Sequence, residues 1–147
     1  MIASAMQTGS AAIRNHARAF AANVSGTPKA GPLPSASVLR RLIGKRKARS
    51  DLFGADVFGD PAWDMLLELA LSEAEGRRIS VSSLCIASGV PVTTALRKIG
   101  LLEERGLIVR AADGTDRRRA MLRLTRRSRE GIADYFAAPE GSRRDMF

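Results

Sequence analysis

Residues 82–110, SSLCIASGVPVTTALRKIGLLEERGLIVR, hold two helix patterns with Gly89 between them. Ser80 is suited to cap the first, which covers 81–88 and stops at Gly89. Pro91 fits the start of the second, and Gly106 closes it. In that second helix Ala95, Ile99 and Leu102 recur at three-and-four spacing and define a core face. Its opposite side opens with Val92, Thr93 and Thr94, then carries Arg97 and Lys98. So tight a turn, followed by a helix with outward polar groups, predicts a helix-turn-helix with its outer helix over about 91–105.

Downstream, LIVRA alternates and reads as a strand, and Asp113-Gly114 is a hairpin-turn signal. RAMLRLT returns as the partner strand, with Ala120, Leu122 and Leu124 alternating against Met121 and Arg123. This hairpin, about 107–125, is followed by a helix over about 126–138 and a loose end at 139–147. Upstream, Ile79 makes a short strand. DPAWDMLLELALSEAEG is a helix with Asp60 at its N-cap, Pro61 in the first position and Asp64 favourable near the positive end of the dipole. Trp63, Leu66, Leu67, Ala70 and Leu71 form its expected buried stripe, and Gly76 ends it. Before it, SDLFGADVFGD repeats an Asp-x-Phe-Gly unit, and Phe53 and Phe58 are expected to hold this loop on the core. Ser37 is the expected cap of a helix to about Arg49, with Val38, Leu39, Leu42 and Ile43 on one face. Residues 1–35 are rich in Ala, Gly, Ser and Pro and read as a basic tail. The domain expected over 36–138 is mainly α with a small β-hairpin, a winged helix-turn-helix.

Charge narrows the function. The 147 residues carry a formal net charge of +9. Residues 1–50 contain nine bases and no acid, and residues 51–76 contain seven acids and no base. A basic excess of this size favours a polyanionic partner, nucleic acid first, over a merely solvated surface. One cysteine, Cys85, excludes an intrachain disulfide, and its place on the inward side of a helix predicts a buried structural thiol. With one histidine, His16, a His/Cys metal site lacks ligands, and no cofactor is expected. No apolar run approaches a membrane span, so no membrane partner is expected and the cytoplasm is the expected compartment. No phosphate-binding glycine loop or nucleophile motif is present, which argues against an enzyme.

About half of the chain, from Asp60 to Phe136, resembles the MarR family of bacterial transcriptional regulators. The resemblance rests on LCIASGVPVTTALRKIGLLEERGLIVR, on DPAWDMLLEL, and on DRRRAMLRLT, where Asp116, Arg118, Leu124 and Thr125 match the wing pattern. It implies binding to double-stranded DNA, a homodimer and a nucleoid-associated protein; a small-molecule effector is a habit of the family that no residue here identifies. The chain departs from the pattern at Ser83, Ser88, Pro91, Ile86, Lys98 and Thr115, and its last helix is short for a family that dimerises through long terminal helices. The basic segment 37–49 is the candidate replacement for that interface.

The chemistry agrees with the resemblance. A helix fits the major groove, where threonine hydroxyls can bond bases or phosphates and their methyls can touch thymine. Arg97 can fork onto guanine or phosphate, and Lys98 is suited to phosphate. On the wing, Asp116 is the implied orienting acid and Arg118 the implied minor-groove arginine, flanked by Arg117 and Arg119. Arg126, Arg127 and Arg129 either extend this positive surface or solvate the last helix. The bases of 40–49 have three readings, phosphate contact, pairing with the acids of 51–76, or plain solvation, and adjacency of the acidic block favours pairing. The alternative function is a winged-helix protein-interaction module whose basic tail docks an acidic partner.

Overall fold

The computed structural model describes residues 32–112, 114–115 and 118–138. Most of the basic tail, Asp113, Asp116, Arg117 and the 139–147 end lie outside the described residues. The elements follow the expected order: helices α1 (Ala36–Phe53), α2 (Ala55–Phe58) and α3 (Pro61–Ala74), strand β1 (Ile79–Ser80), helices α4 (Val81–Ala87) and α5 (Val92–Glu104), strands β2 (Ile108–Ala112) and β3 (Ala120–Leu124), and helix α6 (Arg126–Ala137). The three strands form one antiparallel sheet in the order β1-β3-β2. This is a winged helix-turn-helix: α4 and α5 are the helix pair and β2–β3 the wing.

The first helix starts and ends differently from its sequence pattern. Its cap is Ser35, not Ser37: the Ser35 hydroxyl accepts from the Val38 amide at 3.4 Å, and Leu33 already packs on the core. It continues past Arg49 to Phe53, helped by a Lys47–Asp51 pair one turn apart at 2.7 Å. Only Leu39 of its apolar set is fully buried; Leu42 and Ile43 are half-buried and Val38 is exposed. Phe53 and Phe58 do not hold the following segment on the core. They are 67% and 41% exposed and pack edge-on against each other at 5.9 Å, with the Arg49 guanidinium 5.5 Å from the Phe58 ring centre. The second Asp-x-Phe unit folds into α2, none of whose residues is buried.

Helix α3 is the centre of the molecule. The Asp60 carboxylate accepts from the Trp63 amide at 3.3 Å, and Pro61 occupies the first turn. Its buried surface is wider than the expected stripe: Met65 and Leu69 are buried with Leu67, Ala70 and Leu71, while Trp63 and Leu66 are half-buried. The cause is tertiary, because α3 touches α1, α4, α5 and β3, so several of its sides face protein. The Trp63 ring meets Tyr135 of α6 edge-on at 5.0 Å.

The two wing strands pair as expected, and of the Asp113-Gly114 turn signal Asp113 lies outside the described residues. Ala112 pairs with Ala120, so residues 113–119 form the connection. The expected alternation in β3 is incomplete, because Met121 is buried together with Leu122 and Leu124. β3 is the central strand, and Met121 lies opposite Ser80 of β1 on one side and Ala111 of β2 on the other.

Candidate nucleic-acid interface

The helix-turn-helix is built from local chemistry. The Ser80 hydroxyl accepts from the Ser83 amide at 3.1 Å and donates to the Ser83 hydroxyl at 2.9 Å. The Ser83 hydroxyl thus accepts from the capping side chain, not from the Ser80 amide that a capping-box glutamate would bind. At the other end of α4, the Ser88 hydroxyl donates to the Cys85 carbonyl at 2.6 Å, which satisfies a polar side chain at a half-buried site. Gly89 then takes φ +68°, with its amide bonded to the Ile86 carbonyl at 3.2 Å. A Cβ at Gly89 would meet nothing within 4 Å, so glycine is favoured by backbone conformation and not by lack of room. The chain direction changes by 114° between α4 and α5. Leu84 and Cys85 are buried under this turn.

Pro91 is the N-cap of α5, one residue outside the helix it was expected to begin. No side chain caps this helix, and its first turn carries no acid. The amides of Val92, Thr93 and Thr94 therefore open the positive end of the helix without a side-chain acceptor. Ala95, Ile99 and Leu102 are buried as expected and seat α5 on α3, α4 and β2. Val92 is 62% exposed, and Thr93, Thr94 and Arg97 are exposed. Lys98 is half-buried, one position from the core residue Ile99. The structure thus brings Val92, Thr93, Thr94 and Arg97 onto one free surface and sets Lys98 at its margin. On the wing, Arg118 and Arg119 are exposed, as are Gly114 and Thr115.

The residues that orient this surface were not apparent from the sequence. Glu103 of α5 pairs with Arg110 of β2, joining the outer helix to the wing. Thr125, the N-cap of α6, donates through its hydroxyl to the Gly106 carbonyl at 2.8 Å, and the Ser128 hydroxyl donates to the Leu107 carbonyl at 2.6 Å. Arg127 donates to the Arg105 carbonyl at 3.0 Å. These bonds satisfy the carbonyls at the end of α5 and fix it to the start of α6. The Thr-x-x-Ser spacing of Thr125 and Ser128 was the available signal, since it matches a helix cap.

Several other arginines form ion pairs within the protein. Arg126 pairs with Glu130 at 2.8 Å, while its side chain stays 88% exposed, and Arg129 pairs with Glu73. Arg46 pairs with Asp64 at 2.6 Å and Arg40 with Glu75, as expected for the two adjacent charge blocks. Arg77 joins Glu75 at 2.5 Å, and the hydrogen bonds from Arg77 and Arg40 hold the Glu75 carboxyl below its ordinary value of 4.5. Among the described residues, no group of three or more His, Cys, Asp or Glu side chains could hold a metal ion, and no single helix is long and apolar enough to cross a membrane.

No protein-family profile and no curated protein sequence matches the chain. Similar solved structures exist. S. aureus MepR in a DNA-binding conformation superposes with a TM-score of 0.48 at 17% identity, covering 77% of this chain and 91% of that one. A MarR structure superposes with a TM-score of 0.45 at 27% identity, covering 76% and 80%. For ZitR of Lactococcus lactis the values are 0.41 and 16%, and the chain spans only 48% of that protein's length. With such low scores, the winged helix-turn-helix assignment rests on this chain's own helix turn, strand order and register.

Proposed function

We propose that the protein is a DNA-binding transcriptional regulator of the MarR-like winged-helix type. The observation that carries this reading is the outer face of α5, where Val92, Thr93, Thr94 and Arg97 stand exposed beyond a 114° helix turn with no acid in the first turn. In this reading α5 enters the major groove. The threonines and Val92 meet base edges and thymine methyls, Arg97 meets guanine or phosphate, and Lys98 meets phosphate from the margin. The wing, with Asp116, Arg117, Arg118 and Arg119, follows the adjacent minor groove. The protein acts as a homodimer on a two-fold related site. Exposed Leu52 and Phe53 at the end of α1, with Val57 of α2, support an interface there.

Fluorescence anisotropy tests this on random duplex and on DNA from upstream of the gene, across a salt series. The expected result is tighter binding to the upstream DNA that persists at higher salt. Absence of binding at low salt would overturn the reading. A second reading, a winged helix that docks a protein, is favoured by the 81% exposure of Ile86 on α4 and by exposed Leu96 and Leu101 on α5. Under it, an acidic partner protein binds and duplex DNA does not.

A further inference from the structure

Helix α1 carries six bases and no acid between Ala36 and Ser50. Folding divides them. Arg40 pairs with Glu75, Arg46 with Asp64 at 2.6 Å and Lys47 with Asp51 at 2.7 Å. The Arg49 guanidinium donates to the Phe58 carbonyl at 3.4 Å and lies against the Phe58 ring. Arg41 and Lys45 are exposed, and neither meets a carboxylate among the described residues. They stand one turn apart on the side of the helix opposite Leu39, Leu42 and Ile43, with Ser37 and Ala48 exposed on that same side. Like charges at this spacing repel, so the pair is unfavourable until an anion lies against it. The sequence strengthens the field: from residue 1 to residue 50 there is no acid, and Arg14, Arg18 and Lys29 precede the helix.

This face is separate from the surface of α5. Helix α1 packs on α2 and α3, and α5 packs on α3, α4 and β2, so α3 stands between the two. Nor does the face suit a two-fold contact with a second copy, because Arg41 and Lys45 would meet their own counterparts and repel them. The apolar residues that suit such a contact, Leu52 and Phe53, lie at the other end of the helix. A polyanion recognised by charge is the partner that fits. Arg41 and Lys45 lie about 6 Å apart along the helix axis, close to the spacing of phosphates two steps apart on one strand of a duplex. The helix offers no Asn or Gln for adenine edges, and the exposed residues between and beyond the two cations, Gly44 and Ala48, are small enough to let a sugar-phosphate backbone approach. We propose that the outer face of α1 is a second duplex-binding site, independent of base sequence and made through phosphates, so that one protein holds two segments of DNA. In this arrangement α5 sets the position on one segment and α1 retains the other. That division of labour rests on the DNA-binding reading of α5, whereas phosphate binding by α1 does not.

The test uses the full chain with Arg41→Gln and Lys45→Gln combined. Anisotropy on a random-sequence duplex over a salt series gives the first readout: the salt slope should fall by about two, one for each lost phosphate contact, with thermal melting and light scattering unchanged. Bridging gives the second. A duplex fixed to beads should capture a second, labelled duplex when wild-type protein is present, and the double variant should bind the beads but lose the captured duplex. A companion variant, Thr93→Ala with Arg97→Ala, alters α5 alone and should keep the part of the slope that depends on Arg41 and Lys45. An unchanged slope and unchanged bridging in the α1 variant overturn the site. A changed oligomeric state in that variant also overturns it, since the face would then be a subunit contact. Vesicles containing phosphatidylglycerol that bind wild type more tightly than duplex does, with the same dependence on Arg41 and Lys45, would assign the face to a membrane surface and remove DNA as its partner. If the α5 variant loses all duplex binding and the α1 variant behaves as wild type, this site falls and the proposed function stands. If only the α1 variant loses binding, the proposed role of α5 falls and this site stands.

Discussion

Replacing Gly89 by alanine isolates what the helix turn demands of its sequence. Gly89 has φ +68°, and a Cβ there would meet no atom within 4 Å, so no steric clash adds to the backbone cost. An L-residue held in the left-handed region is disfavoured by about 1–2 kcal/mol. The narrower unfolded ensemble of alanine offsets about 0.4–1 kcal/mol of this. The net expectation is a loss of about 1 kcal/mol, or roughly 4 °C in melting temperature for a domain near 100 residues. Gly106 has the same φ of +68° and the same open space, so Gly106→Ala should cost the same amount. Asparagine tolerates the left-handed region better, so Gly89→Asn should recover about half of the loss. Gly44, inside α1 with nothing within 4 Å of an added Cβ, provides the opposite control: Gly44→Ala should stabilise by about 0.5–1 kcal/mol. Urea unfolding followed by circular dichroism measures all four, with an unchanged m-value required for the comparison. The reasoning is refuted if Gly89→Ala is neutral, if it costs more than about 3 kcal/mol, or if the Gly89 and Gly106 costs differ by more than about 1 kcal/mol.

Other consequences are open to direct measurement. Arg97→Ala and Arg118→Ala should leave the melting temperature nearly unchanged while weakening DNA binding, and each should lower the salt slope by about one if the lost contact is to phosphate; unaltered anisotropy isotherms would remove those residues from the interface. Asp64→Ala should cost about 1 kcal/mol in denaturant unfolding, because it leaves Arg46, whose side chain is only 18% exposed, without its carboxylate. Ser72→Ala should be neutral or stabilising, since the hydroxyl it removes has no partner. Glu75 adds a pH dependence. Its carboxyl is held below 4.5 in the folded protein, so its stabilisation is present above that value and is lost as pH falls through the lowered one. Thermal melts should accordingly show the wild type more stable than Glu75→Gln near neutrality, with the difference vanishing in acid; a difference that persisted below the lowered value would contradict the Arg77 and Arg40 pairing.

What the sequence by itself determined is local. Ser80, Asp60 and the glycines at 76, 89 and 106 act on their own few residues through caps and backbone conformation, so they mark α3, α4 and α5 whatever surrounds them. The periodicity of Ala95, Ile99 and Leu102 likewise fixes which side of α5 faces inward, and so leaves Thr93, Thr94 and Arg97 outward. Tertiary structure decided whatever depends on partners distant in the chain. Met65 and Leu69 are buried because α3 is enclosed by several elements, which a one-face pattern does not anticipate. Met121 is buried although its alternation sets it with exposed Arg123, because it lies between Ser80 of β1 and Ala111 of β2, neighbours that its own strand does not name. Phe53 and Phe58 read as core anchors by residue type, yet the short helix α2 turns them onto each other at the surface. The fates of the arginines were equally hidden. Arg110, Arg127 and Arg129 meet Glu103, the Arg105 carbonyl and Glu73 across sequence separations of 7, 22 and 56 residues. Which cations remain for a nucleic acid is therefore settled by distance in space, because an ion pair forms wherever folding brings the charges together, however far apart they lie in the chain.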